Sequence, residues 1–570
     1  MMHKIERRPK VDDSHLNHPH PLIKQLYARR GVLAEQEQLH PSKLLRPDNM
    51  KGIQLAAKLV AEAIVSGKKI VIIGDFDADG ATSTAVCLLA LRALGCSNVD
   101  YLIPNRFDYG YGLSPELVPL AKQQGADLLL TVDNGISSIE GVEAAKQAGL
   151  QVVITDHHLP GENLPRADAI VNPNQHGCMF ASKSIAGCGV AFYLMLAIRS
   201  ELRQQGAFAH RPEPNLSELL DIVALGTVAD VVALDANNRI LVQAGLRRVR
   251  QGKCRPGITS LLEVAKRQPW KTVASDFGFA VGPRINAAGR LDEMSHGVEL
   301  LISDNPLLAR QLAEELDGLN AERRDIEQGM QEQALVQLQK LDLDPEQLPF
   351  GFALYQSDWH QGVIGILASR IKERYHRPVV VFANGDQGQL KGSCRSIKGV
   401  HMRDLLELLN SRHPGLIIKF GGHAMAAGLS IDASRFDEFQ QAFTRVLEET
   451  VDPSLLTGII LSDGSLTGSQ ITLETAFAIR EAGPWGQGFE EPVFDGVFTI
   501  VQQRIVGEKH LKLILDTPCG QSFDAIAFNI DLKAWPNNQA TQVELAYRLD
   551  VNEFRGAQSV QLMVEQITAL

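Results

Sequence analysis

The chain reads as an α/β protein in three parts: a doubly wound parallel sheet, a second and smaller α/β domain reached through a long helix, and a small C-terminal β-barrel. Three observations predict this. From Lys68 onward, short β-branched runs alternate with amphipathic stretches (KKIVIIG, TSTAVCLLALRALG, NVDYLIP, SPELVPLAKQQG, ADLLLTVDNG, QVVITDHH). Strands that are apolar throughout and joined by helices form a parallel sheet covered on both faces. The same rhythm restarts at Phe350 with FALYQS, GVIGILASRIKERY and RPVVVFA, and closes near Glu449. Beyond about residue 455 the texture changes to short strands and turns, FDGVFTIVQQRIVG, HLKLILDT, DAIAFNI and VELAYRLDVNEFRG, the texture of a small barrel.

These elements divide the chain into an N-terminal extension (1–50), a first α/β domain (51–300), a connecting helix (301–345), a second α/β domain (346–450) and the barrel (455–570). The connecting helix is carried by LARQLAEELDGLNAERRDIEQGMQEQALVQLQK. A chain of 570 residues with 45% hydrophobic and 22% charged residues exceeds what one core supports, so several domains are expected. Its apolar runs stop well short of the roughly 20 residues of a membrane span. The opening stretch MMHKIERRPKVDDSHLNHPH is charged with no apolar segment behind it, so no secretory signal is read and a cytoplasmic location is expected. Seven cysteines at scattered spacings, with no CxxC pair, predict reduced core thiols. The net charge of −11 argues against coating nucleic acid by bulk electrostatics and permits a narrow basic channel on an acidic body. With no coiled-coil heptad, a monomer is expected.

Carboxylates mark the strand ends. Asp75, Asp77 and Asp79 lie in GDFDADG directly after the first strand, at alternate positions that share one side of an extended segment. Taken alone, such a segment reads equally well as a solvated Asp-rich turn. However, ADLLLTV ends in Asp133, QVVIT ends in Asp156-His157-His158, and the apolar segment LLDIVALGTVA ends in Asp230. Read as four acidic strand ends, they fall where a doubly wound sheet collects its ligands. An oxygen-rich set with one or two imidazoles suits Mg²⁺ or Mn²⁺.

Asp156-His157-His158, with DFDADG and TVDNG, resembles the signature of the DHH phosphoesterase family. The motifs PNRFDYGYGL, SIAGCGVAF, ALGTVADVV, GPRINAAGRL, WHQGVIGILASR, GSCRSI and GGHAMAAG follow in the order seen in the family's exonucleases for single-stranded DNA. The resemblance implies that Asp77, Asp79, Asp133, His157 and Asp230 hold two divalent cations, Mn²⁺ or Mg²⁺, with Asp133 between them and Asp75 completing one shell. It further implies that Asp156 steadies its neighbours and that His158 meets the scissile phosphate or protonates the leaving oxygen. Related pyrophosphatases carry a histidine where this chain has Ile73, which weakens a pyrophosphatase reading.

By the same resemblance the second α/β domain is of the DHHA1 type and the barrel is an OB-fold, a common module for single-stranded nucleic acid. Arg106 and Tyr111 in PNRFDYGYGL suit a phosphate and a stacked base, although YGYG alone is more simply a turn. Arg284, Asn286 and Arg290 are polar groups in an otherwise apolar segment and want an anion. Ser393, Arg395 and the glycine loop Gly421-Gly422-His423 are likewise suited to phosphate; Arg284, Ser393 and Arg395 are the candidates for the 5′-terminal phosphate. Lys509, His510, Lys512 and Arg555 are basic positions of the barrel, where solvated charge is the commoner reason for such residues.

The implied activity is 5′-to-3′ degradation of single-stranded DNA to 5′-mononucleotides by two-metal-ion hydrolysis, in recombination and repair. A helicase and a single-stranded-DNA-binding protein are the expected partners. Two alternatives stand beside it: a phosphoesterase for short oligonucleotides or cyclic dinucleotides, which needs no barrel, and a non-catalytic replication scaffold, which needs no metal ligands.

Overall fold

The computed structural model describes residues 3–105, 112–340, 348–530, 532 and 534–570. These form two compact units, one of residues 11–320 with 478–491, the other of residues 1–10, 321–477 and 492–570. The N-terminal strand β1 (Lys4–Arg7) therefore belongs to the second unit.

In the first unit five strands, β2 (Ile70–Ile73), β3 (Val99–Leu102), β4 (Leu128–Val132), β5 (Gln151–Thr155) and β6 (Ala169–Val171), form one sheet in the order β3-β2-β4-β5-β6. Every pairing is parallel, as the doubly wound reading expects. After β2 the chain moves to one side for β3 and returns to the other for β4, so the strand order reverses between β2 and β4. That switch point opens a crevice at the carboxyl ends of the strands. The helix Ala78–Leu94 starts there and is buried on almost every side, which explains its apolar and small residues all round. It packs on the buried helices Gly187–Gln204 and Leu220–Ala229.

LLDIVALGTVA does not behave as a further strand. Residues Leu220–Ala229 are α-helical and Asp230 is the residue that caps the helix C-terminus. Its uninterrupted apolar character comes from burial inside the helical layer, because a short apolar run cannot by itself distinguish a buried helix from a buried strand. The expected long helix is present as Pro306–Lys340, 35 residues. Among the described residues no helix is long and apolar enough to cross a membrane. Cys87, Cys96, Cys178, Cys188 and Cys394 are buried, and every cysteine is unpaired.

The second unit holds a mixed sheet and a barrel. β7 (Phe352–Tyr355), β8 (Val379–Asn384), β9 (Gln389–Arg395), β10 (Lys419–Gly422) and β11 (Ala426–Asp432) run in the order β10-β11-β9-β8-β7, with β7 and β8 parallel. The helices Met402–Arg412 and Phe436–Thr450 cover one side with Leu406, Leu409, Phe439 and Phe443. Helix Ile364–Tyr375 packs with Trp359, Val363 and Leu367 in a second cluster. β12 (Ile459–Ser462) pairs in parallel with β1.

β13 (Phe494–Val506), β14 (His510–Asp516), β15 (Ser522–Ala527), β16 (Gln542–Phe554) and β17 (Ala557–Ala569) close a five-stranded barrel in the order β13-β14-β15-β17-β16. Leu511, Leu513 and Leu515 alternate into its interior, the period-two pattern that HLKLILDT carries.

Candidate active site

The crevice of the first unit collects charge because of register. Ile73 of β2 pairs with Thr131 of β4, and Val132 of β4 pairs with Thr155 of β5. The residues that follow each strand therefore emerge side by side. Asp133 and Asp156 begin adjacent turns, and the GDFDADG turn lies next to them.

Each carboxylate is held differently. Asp77 caps the helix Ala78–Leu94, its Oδ1 accepting from the backbone N–H of Asp79 (2.9 Å) and Gly80 (2.9 Å). Asp79 is fully buried against the N-terminus of the helix Gly187–Gln204, accepting from the N–H of Gly187 (2.6 Å) and Cys188 (2.9 Å). This is the favourable end of a helix for an anion. Asp133 adopts a left-handed backbone (φ 61°), and Gly187 leaves it room: a Cβ there would stand 2.5 Å from Oδ1 of Asp133. Neither Gly187 nor Cys188 stands out in the sequence. They lie more than a hundred residues from Asp79 along the chain, and the motif SIAGCGVAF, which contains them, was the available signal.

His157 is the centre of the cluster. Its Nε2 lies 3.1 Å from Oδ1 of Asp133, 3.5 Å from Oδ2 of Asp230 and 3.9 Å from Oδ2 of Asp79. Both His157 Nε2 and Asp230 Oδ2 are buried and make no hydrogen bond. A buried imidazole nitrogen surrounded by carboxylate oxygens, with no hydrogen bond among them, is arranged for a cation. One ligand atom from each of Asp79, His157 and Asp230 falls within 4.8 Å of the others, and the same holds for Asp75, Asp77 and Asp133.

Burial and the neighbouring carboxylates push the carboxyls of Asp133 and Asp230 well above the usual carboxylate range. Asp79 is raised as well, by burial above all, and burial pulls His157 down. The donor set of oxygens with one imidazole fits Mg²⁺ or Mn²⁺.

Asp156 faces away from this cluster. Its Oδ1 accepts from the N–H of His157 (2.7 Å) and His158 (3.0 Å) and pairs with Nδ1 of His158 (2.7 Å), while Oδ2 accepts from the N–H of Ile136 (2.9 Å). Burial opposes a charged His158, but the bond to Asp156 outweighs it and pushes the imidazole up to about 9. Asn174 donates to the carbonyl of His157 (2.6 Å) and Asn172 to that of His158 (2.9 Å). Sequence reasoning missed these asparagines, in VNPNQ just after β6; polar residues closing an apolar strand were the available signal.

The remaining predicted positions separate into three groups. Arg106 and Tyr111 lie outside the described residues. Arg284, read as wanting an anion, already has one: its Nε and Nη2 reach Oδ1 of Asp317 at 2.9 and 2.8 Å. Asn286 accepts from the N–H of Ala78 (2.8 Å) and so ties the helix Gly282–Leu291, which also bears Arg290, to the GDFDADG turn.

In the second unit Ser393 and Arg395 sit on β9. Gly421 pairs with Gly428 and Gly428 with Ser393, so Gly421, Gly422 and His423 lie on a β-hairpin two strands from Ser393, where the sequence suggested a loop. Arg395 is mostly buried, donating to the hydroxyls of Ser369 (3.2 Å) and Ser393 (3.2 Å) and the carbonyl of Cys394 (2.8 Å). It has no carboxylate partner among the described residues, and burial lowers its pKa. Gly365 makes room for it, since a Cβ there would stand 3.0 Å from Arg395 Nη2 and from Ser393 Oγ.

On the barrel Lys512 pairs with Asp524 at 3.3 Å and His510 packs edge-on against the exposed Phe528. Arg555 lies in the β16–β17 turn beside Phe554, with Lys509 in the β13–β14 turn.

Comparison with known proteins gives a consistent result. Residues 69–227 match the DHH family N-terminal domain, residues 349–449 the DHHA1 domain and residues 462–566 the RecJ OB domain. The chain is 57% identical over 551 residues to the single-stranded-DNA-specific exonuclease RecJ of Escherichia coli strain K12, covering 96% of each chain. It is 52% identical over 570 residues to the Haemophilus influenzae RecJ, covering 99% of each. Among solved structures it is similar to the Mn²⁺ complex of RecJ from Thermus thermophilus, with a TM-score of 0.80, 32% identity, and coverage of 96% of this chain and 76% of that one.

Proposed function

The chain belongs to the RecJ family of single-stranded-DNA-specific exonucleases, and we propose from that premise that it hydrolyses single-stranded DNA from the 5′ end, releasing 5′-mononucleotides, with two divalent cations, Mn²⁺ or Mg²⁺. The observation that carries the reading is His157 Nε2, ringed by Asp79, Asp133 and Asp230 and hydrogen-bonded to none of them. Asp79, His157 and Asp230 would hold one ion and Asp75 and Asp77 the other, with Asp133 shared between them. When bound, the ions supply a water of lowered pKa and neutralise charge that builds on the phosphate.

The chain's own residues do the rest. Asp156 fixes the His157-His158 turn through three hydrogen bonds and is itself anchored by a fourth from Ile136, so the turn and the His158 ring are set before substrate arrives. His158, protonated at neutral pH, donates to the scissile phosphate or passes its proton to the leaving oxygen. Ser393 and Arg395 hold the terminal phosphate, with Gly421, Gly422 and the His423 side chain of the hairpin on the same sheet as further contacts. Arg284 takes part by exchanging Asp317 for phosphate, while Asn286 and Arg290 present the edge of the same helix. Arg106 and Tyr111 complete the strand's grip, and the barrel follows its backbone. The protein acts as a monomer in the cytoplasm, in recombination and repair, on strands that a helicase and a single-stranded-DNA-binding protein make available.

The test is digestion of 5′-labelled and 3′-labelled single-stranded DNA in Mn²⁺ and in Mg²⁺, with duplex and RNA controls. Early release of labelled mononucleotide from the 5′ end alone is expected. Release from the 3′ end first, or equal digestion of duplex, would overturn the assignment.

A further inference from the structure

The N-terminal strand delivers a histidine to a second, unassigned basic site. β1 pairs with β12, and His3 just before it is clamped on three sides. Its N–H donates to Oε1 of Gln566 (2.7 Å), its carbonyl accepts from Nε2 of Gln566 (2.7 Å), and its ring lies on Gly458, where a Cβ would come within 1.9 Å of Cδ2. So placed, the ring meets His376 edge to face at 6.0 Å.

The two rings border a cavity of about 220 Å³ whose walls also carry Lys372, Glu373, Ser396, Ile397, Lys398 and Met425. Two ammonium groups and two imidazoles thus face one carboxylate. Neither Lys372 nor Lys398 has an ion-pair partner among the described residues. Burial above all lowers the pKa of both His3 and His376, and neighbouring positive groups lower them further.

The cavity continues the Arg395 cradle. On the helix Ile364–Tyr375 and its capping residue, Gly365, Ser369, Lys372 and His376 recur at the spacing of one helical face. Gly365 and Ser369 touch Arg395; Lys372 and His376, one and two turns further along at about 5.4 Å per turn, line the cavity. Ser396 follows Arg395 directly in the chain.

We propose that this cavity, completed by His3, is a binding site for a backbone phosphate of the same single strand whose terminal phosphate Arg395 holds. The N-terminal strand then has a function in grip on the substrate. The inference rests on the single-stranded-DNA reading above, and charge and position together select its occupant: two lysines and two imidazoles meet one carboxylate in the walls, and the same helix face carries the cradle of Arg395, which has no acid partner among the described residues.

The test is the salt dependence of binding of a 5′-phosphorylated oligothymidylate to the full chain in chelator, where no digestion occurs. K372Q/K398Q should bind several-fold more weakly at low salt. Its slope of log affinity against log salt should flatten by about 0.7 for each phosphate that is no longer neutralised. H3A should show a smaller loss, and E373Q should tighten binding. Thermal melting of each variant, unchanged from wild type, separates these effects from misfolding. Unchanged affinity and slope in K372Q/K398Q would overturn the proposal. Competition by inorganic phosphate without any change in the strand's slope would make the cavity a free-phosphate site and equally overturn it. A wild type that digests single-stranded DNA in Mn²⁺ keeps the family reading intact in either case, whereas one that neither binds nor digests it overturns both.

Discussion

The acidic crevice of the first unit and the Arg395 cradle of the second are buried charged sites of opposite sign, built by opposite means. In the crevice Asp79, Asp133 and Asp230 surround one imidazole, and burial together with mutual repulsion raises all three carboxyls. In the cradle a single guanidinium is held by two hydroxyls and a carbonyl, with no carboxylate near it among the described residues. Burying a charge is costly unless a partner compensates it. At the first site an ion from solution can supply the compensating cation, and at the second the substrate can supply the anion. The crevice gathers its charges from paired strand ends and from helix termini, at Asp79 and Asp230; the cradle is made by Ser393 and Cys394 of one strand and by Gly365 and Ser369 of one helix.

That contrast can be broken by measurement. The largest effect is expected for Asp133→Ala, which removes the oxygen nearest His157 and should lower nuclease activity on the order of 10³-fold. In the metal-free protein the same change should leave the melting temperature equal or higher, because it relieves like-charge repulsion. A mutant with activity within about tenfold of wild type, or with a much lower metal-free melting temperature, would show the crevice to be a structural network. Next, Mn²⁺ at about 100 times its dissociation constant should stabilise the wild type by about 2.7 kcal/mol and Asp133→Ala by much less, read by calorimetry; equal stabilisation would place the ion elsewhere. Arg395→Gln should cost about 1.5–3 kcal/mol in binding for strands with a 5′-phosphate and little for strands with a 5′-hydroxyl. Equal losses on both strands would remove the terminal-phosphate role. The smallest change, Asn174→Ala, frees the His157 carbonyl and should reduce activity about tenfold with only about 1 kcal/mol lost in stability; a large stability loss with normal specific activity would make Asn174 a folding residue only.

Much of this was legible in the sequence. A parallel sheet buried on both faces writes its strands as unbroken apolar runs, so the carboxylates that end them stand out, and Asp75, Asp77, Asp79, Asp133 and the Asp156-His157-His158 turn could be named as one site. The five-stranded barrel was legible for the related reason that alternation in HLKLILDT has a period of two. Asp230 was read as a strand end although it caps a helix, since burial makes a helix and a strand look alike over ten apolar residues.

What the sequence determined by itself was therefore local: element type, the polar residue that ends each element, and the chemistry those residues could offer. Only the tertiary structure decided which charges are already balanced. It gave Arg284 to Asp317, seated Asp79 on the distant helix N-terminus at Gly187, left Arg395 without an acid among the described residues and brought His3 to His376. Local propensity acts over a few residues of chain, whereas the electrostatic state of a buried group depends on neighbours hundreds of residues away, and these are fixed only when the chain has folded.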